Sequence, residues 1–135
     1  MYARRYGESG PLVLVLHGGP AAAGDVAPLA EGLSGSFRAV EPWQRGSEDV
    51  PLTVARHIAD LHELATELGG DSPVAIVGHS WGAMLALCYA AAHPGKAGPI
   101  GLVGCGGRPH HRPDLGDGGL EGARCRHPTH LFEHD

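Results

Sequence analysis

The sequence predicts an α/β protein: a mostly parallel sheet with helices on both faces, followed by an irregular tail. Three observations predict it. Short, non-alternating apolar runs fenced by glycine and proline recur up to "PIGLVGCG", residues 99–106. Between them lie segments whose apolar residues keep helical spacing. Strand, helix, strand, helix, strand is the order a parallel sheet needs, because each parallel return requires a long right-handed crossover.

The elements follow in turn. "PLVLVLHGGP" (11–20) holds the run Leu12 to Leu16 between Pro11 and Gly18-Gly19-Pro20, as expected of a strand buried on both faces. Asp25 can cap a short helix whose Val26, Leu29, Ala30 and Leu33 share a side. "FRAVEPW" (37–43) reads as a second strand, ending in the turn-rich "QRGSED". "PLTVARHIADLHELATELGG" (51–70) gives the clearest helix. Its Leu52, Val54, Ile58, Leu61, Leu64 or Ala65, and Leu68 lie on one side, with Arg56, Asp60, Glu63 and Glu67 facing away. Pro51 suits its first turn and Gly69-Gly70 its stop. His57 and His62 are expected on its solvated side. "PVAIVG" (73–78) is a third strand, "WGAMLALCYAAAH" (81–93) an apolar helix, and "PIGLVGCG" a fourth strand.

Composition narrows the function classes. With 135 residues, 42% hydrophobic and 19% charged, the chain suits one globular domain. Its net charge of −5 and lack of a Lys/Arg cluster speak against nucleic acid. Cys88, Cys105 and Cys125 form an odd set without Cys-x-x-Cys spacing, read as thiols in a reducing compartment. "MYARRYGESG" leads into no apolar leader core, and "PLVLVL" is too short to span a bilayer. A cytoplasmic protein without a membrane partner is therefore expected.

The chemistry concentrates at "VAIVGHSWGAML" (74–85). Gly-x-Ser-x-Gly between a buried strand and a helix puts Ser80 on a tight turn with its hydroxyl exposed. Side chains at the flanking glycine positions would collide with neighbouring backbone. The helix behind Ser80 directs its first N–H groups and the positive end of its dipole at that point, favouring an oxyanion. "HGGP" (17–20), ending the first buried strand, can bring a second N–H to the same place without a side chain in the way. Gly19 and Trp81 are the expected oxyanion donors. A Gly-rich loop after a strand could also be only a loop; the serine corner further along in βαβ order argues for the active reading.

Residues 2 to about 106 resemble the N-terminal half of an α/β-hydrolase, and in particular the proline iminopeptidase branch. The resemblance rests on "HGGP" (17–20), "QRGS" (44–47), "LTVARHIADLHEL" (52–64) and "GHSWG" (78–82). It implies a serine hydrolase acting through an acyl-enzyme on a small peptide, amide or ester. Ser80 would be the nucleophile, Gly19 and Trp81 the oxyanion donors, and no cofactor would be needed. His17 and His79 take turn and neighbour positions. The chain departs from that branch at Ala21, where another glycine is usual, and at Trp43, where Asp is usual. The family order of serine, acid, then histidine needs further strands after "PIGLVGCG", so the acid and base are unknown.

Residues 108–135 differ in character: five His, four Arg, four Gly and three Pro, with no Val or Ile. They read as loop or disorder, leaving residues 1–107 as the N-terminal part of a hydrolase domain. His110, His111, His127, His130 and His134, with Asp114, Asp117 and Asp135, are the leftover candidates for base and acid. An unpacked loop holds such geometry poorly. "CRHPTH" groups Cys125, His127 and His130, but without the paired spacing of a zinc site, and no metal is expected. "GCGG" lacks the third glycine and following helix of a dinucleotide turn. A truncated or frameshifted hydrolase accounts for the tail. Two other readings stand beside the enzyme: a catalytically incomplete remnant that binds a ligand at the oxyanion turn, and a zinc protein using the tail. An unfinished sheet would also expose an edge through which copies could associate.

Overall fold

The computed structural model describes residues 1–19, 23–46 and 52–105. Among them are five strands, β1 (Ala3–Tyr6), β2 (Leu12–Leu16), β3 (Arg38–Pro42), β4 (Val74–His79) and β5 (Ala97–Val103). Three helices, α1 (Ala27–Leu33), α2 (Val54–Gly69) and α3 (Trp81–Ala92), connect them. The sheet order is β1-β3-β2-β4-β5. β1 pairs antiparallel with β3, and every other pair is parallel.

The central strand β2 explains the layering. Its side chains alternate between faces. Val13 and Val15 point to one face, where Ala30 of α1 and Val26 just before that helix cover them. Leu14 and Leu16 point to the other, against Leu61, Leu64, Leu85 and Tyr89 of α2 and α3. Leu14, Val15 and Leu16 are wholly buried, and each such side chain stabilises the fold by roughly 1.5–3 kcal/mol. That double burial is why the strand reads as a continuous apolar run.

Thr53 opens α2, its Oγ1 accepting the Arg56 N–H at 3.1 Å. The expectation that Pro51 sits in the first turn falls on a residue outside the described ones, and the helix itself starts at Val54. Gly70 caps the other end as expected. α3 is apolar all round: Ala83, Leu85, Ala86 and Tyr89 are buried while Met84 and Leu87 are exposed. Leu102 and Val103 at the end of edge strand β5 are exposed too. Among the described residues no helix is long and apolar enough to cross a membrane. Residues 108–135, with their histidines, Asp114, Asp117, Asp135 and Cys125, lie outside the described residues.

The crossovers position the site. The chain leaves β2 for β3 on one side, then passes back over the sheet to β4 on the other. That reversal makes the carboxyl ends of β2 and β4 a topological switch point, and α/β sheets bind ligands at such places.

Candidate active site

Ser80 stands at the carboxyl end of β4, between that strand and α3. It is exposed, with φ 51° and ψ −112°, and is the one non-glycine residue at positive φ among those described. A side chain held there costs on the order of 1–3 kcal/mol. The flanking glycines permit the turn by closeness of approach. A Cβ on Gly78 would stand 2.3 Å from the Gly82 carbonyl oxygen, and one on Gly82 would stand 2.3 Å from that of Leu16. The start of α3 is thus pressed onto the end of β2. The Ser80 N–H donates to the Val103 carbonyl at 3.0 Å, tying the turn to β5. Trp81 is the first residue of α3, where main-chain N–H groups have no acceptor within the helix and the helix dipole favours negative charge.

The turn after β2 lies against this corner. A Cβ on Gly18 would come within 3.3 Å of the Ser80 Cβ and 3.1 Å of His79 Nδ1. Gly19 has φ 55°, a conformation that favours glycine. His17 is wholly buried. Its Nε2 accepts the Gln44 main-chain N–H at 3.0 Å, so that nitrogen carries no proton. The proton is on Nδ1, which faces the carbonyls of Gly18 and Gly19, both at 3.1 Å. The expected structural role of His17 is therefore met.

Two further contacts join the turn to the corner. Gln44 donates from Nε2 to the His17 carbonyl at 3.1 Å and accepts the Trp81 indole N–H at Oε1, 2.8 Å away. Arg45, next along, forms a two-pronged ion pair with Asp60 of α2, with Nη2 to Oδ1 at 2.7 Å. The Arg45 guanidinium pKa is raised, first by its hydrogen bond to Asp60. The loop after β3 is thereby fastened to α2.

Two sequence expectations need correction. Asp25 does not cap α1: Val26 is at the cap position without a side-chain bond. The Asp25 carboxylate instead accepts the Gly18 N–H at 3.2 Å and faces His79 Nδ1 at 3.3 Å. Asp25 is a site-proximal residue that local pattern missed, because its partners are far away in sequence. His57 is not solvated. It is 5% exposed, edge-on to the Trp81 ring at 6.1 Å. Its spacing of four from Leu61 and seven from Leu64 was the available signal. His62 is half-buried, 3.3 Å from the Tyr89 hydroxyl.

Burial lowers the His57 pKa below its ordinary 6.5, reinforced by Arg45 and His17 and opposed by Asp60. The unfolded chain then takes up a proton at a higher pH than the folded one. Stability from this site is intact above about pH 6.5 and falls as pH drops into the lowered range. Urea midpoints measured between pH 8 and pH 5 are expected to fall on the acid side, less steeply in His57→Phe; equal slopes would contradict the burial. His93, whose pKa is also lowered, first by burial and then by His62, acts in the same direction.

Residues 11–110 match the sequence pattern of the alpha/beta hydrolase fold family. The chain belongs to that family. This α/β-hydrolase chain is similar to several solved structures. One is an alpha/beta hydrolase from Sphaerobacter thermophilus, 30% identical with a TM-score of 0.64, covering 75% of this chain and 39% of that one. A thioesterase domain from the curacin biosynthetic pathway is 27% identical with a TM-score of 0.64, covering 75% and 40%. An epoxide hydrolase from Vigna radiata is 30% identical with a TM-score of 0.62, covering 74% and 34%. The chain thus spans well under half the length of these structures. No curated protein sequence matches it. Among the described residues no group of three or more His, Cys, Asp or Glu could hold a metal ion.

Proposed function

We propose that this α/β-hydrolase chain carries a serine nucleophile, Ser80, for hydrolysis through an acyl-enzyme. The observation that carries the reading is the strained, exposed Ser80 at the strand-to-helix corner, with the Gly18-Gly19 turn packed against it. In the proposed step the Ser80 oxygen bonds to the substrate carbonyl carbon, and the carbonyl oxygen becomes an oxyanion. The main-chain N–H groups of Gly19 and Trp81 receive that charge. Donors of this kind are worth roughly 3–4 kcal/mol each in the transition state. Collapse expels the alcohol or amine and leaves an ester on Ser80, which water hydrolyses.

The base that takes the Ser80 proton and the acid that orients it are assigned to no described residue. The substrate proposed is a small peptide, amide or ester. The resemblance of "HGGP", "QRGS" and "GHSWG" to the proline iminopeptidase branch supports the first, and the thioesterase-domain neighbour supports an acyl ester.

Covalent labelling by a fluorophosphonate tests the nucleophile, since the phosphorus centre forms its bond directly to the serine oxygen. Mass spectrometry is expected to find one adduct, on Ser80, in the wild type and none in Ser80→Ala. A folded wild-type chain without an adduct, or an adduct that survives in Ser80→Ala, overturns the assignment. Comparing turnover of an aminoacyl anilide with that of a short-chain aryl ester then separates the peptidase from the esterase reading.

A further inference from the structure

We propose that Gln44 is a positioning residue that sets the spacing of the two oxyanion amides, an inference that rests on the function proposed above. Gly19 and Trp81 belong to different elements. The β2–β4 pairing that aligns those elements stops at Leu16 opposite Gly78, short of both amides. Beyond that point Gln44 supplies a side-chain link. Its Oε1 takes the Trp81 indole N–H at 2.8 Å, and its Nε2 donates to the His17 carbonyl at 3.1 Å.

The polarity of this bridge admits one arrangement. An indole N–H only donates and a main-chain carbonyl only accepts, so turning the amide over would set donor against donor and acceptor against acceptor. Gln44 is 9% exposed, and a partner left unmatched in such a place loses its hydrogen bond without full compensation from water. Its main chain adds a third contact. The Gln44 N–H holds His17 Nε2 at 3.0 Å, leaving Nδ1–H to clasp the carbonyls of Gly18 and Gly19. One residue thus grips the elbow through Trp81 and the turn through His17. The neighbouring Arg45–Asp60 pair anchors its loop to α2.

Two variants test the proposal. Gln44→Met keeps the length and removes both side-chain bonds. Gln44→Glu retains an acceptor for the indole but loses the donor to His17, and keeps the question decidable if Gln44→Met does not fold. In Gln44→Met, exchange of the Trp81 indole proton is expected to quicken about tenfold, as for a bond that opens locally. The main-chain amide resonances of Gly19 and Trp81 should both shift. The maximal rate of fluorophosphonate labelling should fall roughly tenfold to a hundredfold, the scale of a small misplacement at a reacting centre, with little change in half-saturation. Gln44→Glu should keep the indole protected yet share the labelling loss. Adding Trp81→Phe to Gln44→Met should cost nothing more.

An unchanged maximal rate, a loss confined to half-saturation, or additive effects in the double variant would overturn the positioning role. Should the wild type itself take no label, the nucleophile assignment fails on its own account. The resonances then decide Gln44: shifts in both amides support the bridge, and unmoved amides overturn it.

Discussion

Gly82→Ala is expected to destabilise the protein by about 3 kcal/mol or more, the upper range of overpacked substitutions. The new methyl would stand 2.3 Å from the Leu16 carbonyl oxygen and 2.7 Å from that of His17. Neither neighbour is the free end of a flexible side chain. Both are main chain at the end of β2, a strand paired on each side and buried on each face. Relief requires α3 to move off the sheet, and the apolar contacts of Leu85, Ala86 and Tyr89 move with it. Against a typical domain stability of about 5–15 kcal/mol, such a loss is read directly as a lowered urea midpoint or poor soluble yield. Gly78→Ala, with 2.3 Å to the Gly82 carbonyl oxygen, should behave alike. Gly32→Ala is the control. No atom lies within 4 Å of a Cβ there, and an exposed helical glycine replaced by alanine gains up to about 1 kcal/mol. A Gly82→Ala midpoint matching the wild type would show that α3 does not sit on β2 as described.

The same closeness accounts for how much of the molecule was legible in the sequence. β2, β4 and β5 announce themselves as short apolar runs beside turns that select glycine, although only β2 of the three is buried on both faces and β5 lies at the sheet edge with Leu102 and Val103 exposed. α2 was legible from its stripe, with Leu61 and Leu64 buried and Glu63 and Glu67 exposed. β1 was not. "ARRY" offers no apolar alternation; main-chain pairing with β3 holds it, with a bond from the Tyr6 hydroxyl to Glu41 at 3.0 Å.

At the site, Ser80 and the two glycines beside it were legible because their demands are local. The contacts that Asp25 and Gln44 make at the site were not legible, because their demands are not local. The contacts of Asp25 with Gly18 and His79, and of Gln44 with His17 and Trp81, join residues that only the folded sheet brings together. A sequence window around Asp25 shows a helix about to start and an acidic residue in the usual capping place. The long-range partners win, and the helix begins uncapped. The resemblance rests in part on "QRGS", yet nothing in those letters says that the glutamine joins His17 to Trp81.

Ser80→Gly and Ser80→Ala are expected to part company in stability while agreeing in chemistry. Each removes the hydroxyl, so each should take no fluorophosphonate label, a complete loss against the wild-type adduct. Stability distinguishes them, because the strain at φ 51° and ψ −112° belongs to the Cβ and not to the oxygen. Alanine keeps that Cβ and should melt within about 0.5 kcal/mol of the wild type, as substitutions that alter no packing usually do. Glycine relieves a conformation costing on the order of 1–3 kcal/mol and gives back roughly 0.5–1 kcal/mol through its freer unfolded chain. The net expectation is a gain of about 1 kcal/mol from these opposed terms, read as a higher urea midpoint for Ser80→Gly than for Ser80→Ala. A side chain kept where the backbone would fold better without a Cβ is what a working nucleophile at this corner requires. Equal midpoints for the two variants would remove the strain, and with it the geometric reason for choosing Ser80 over any other exposed serine in the chain.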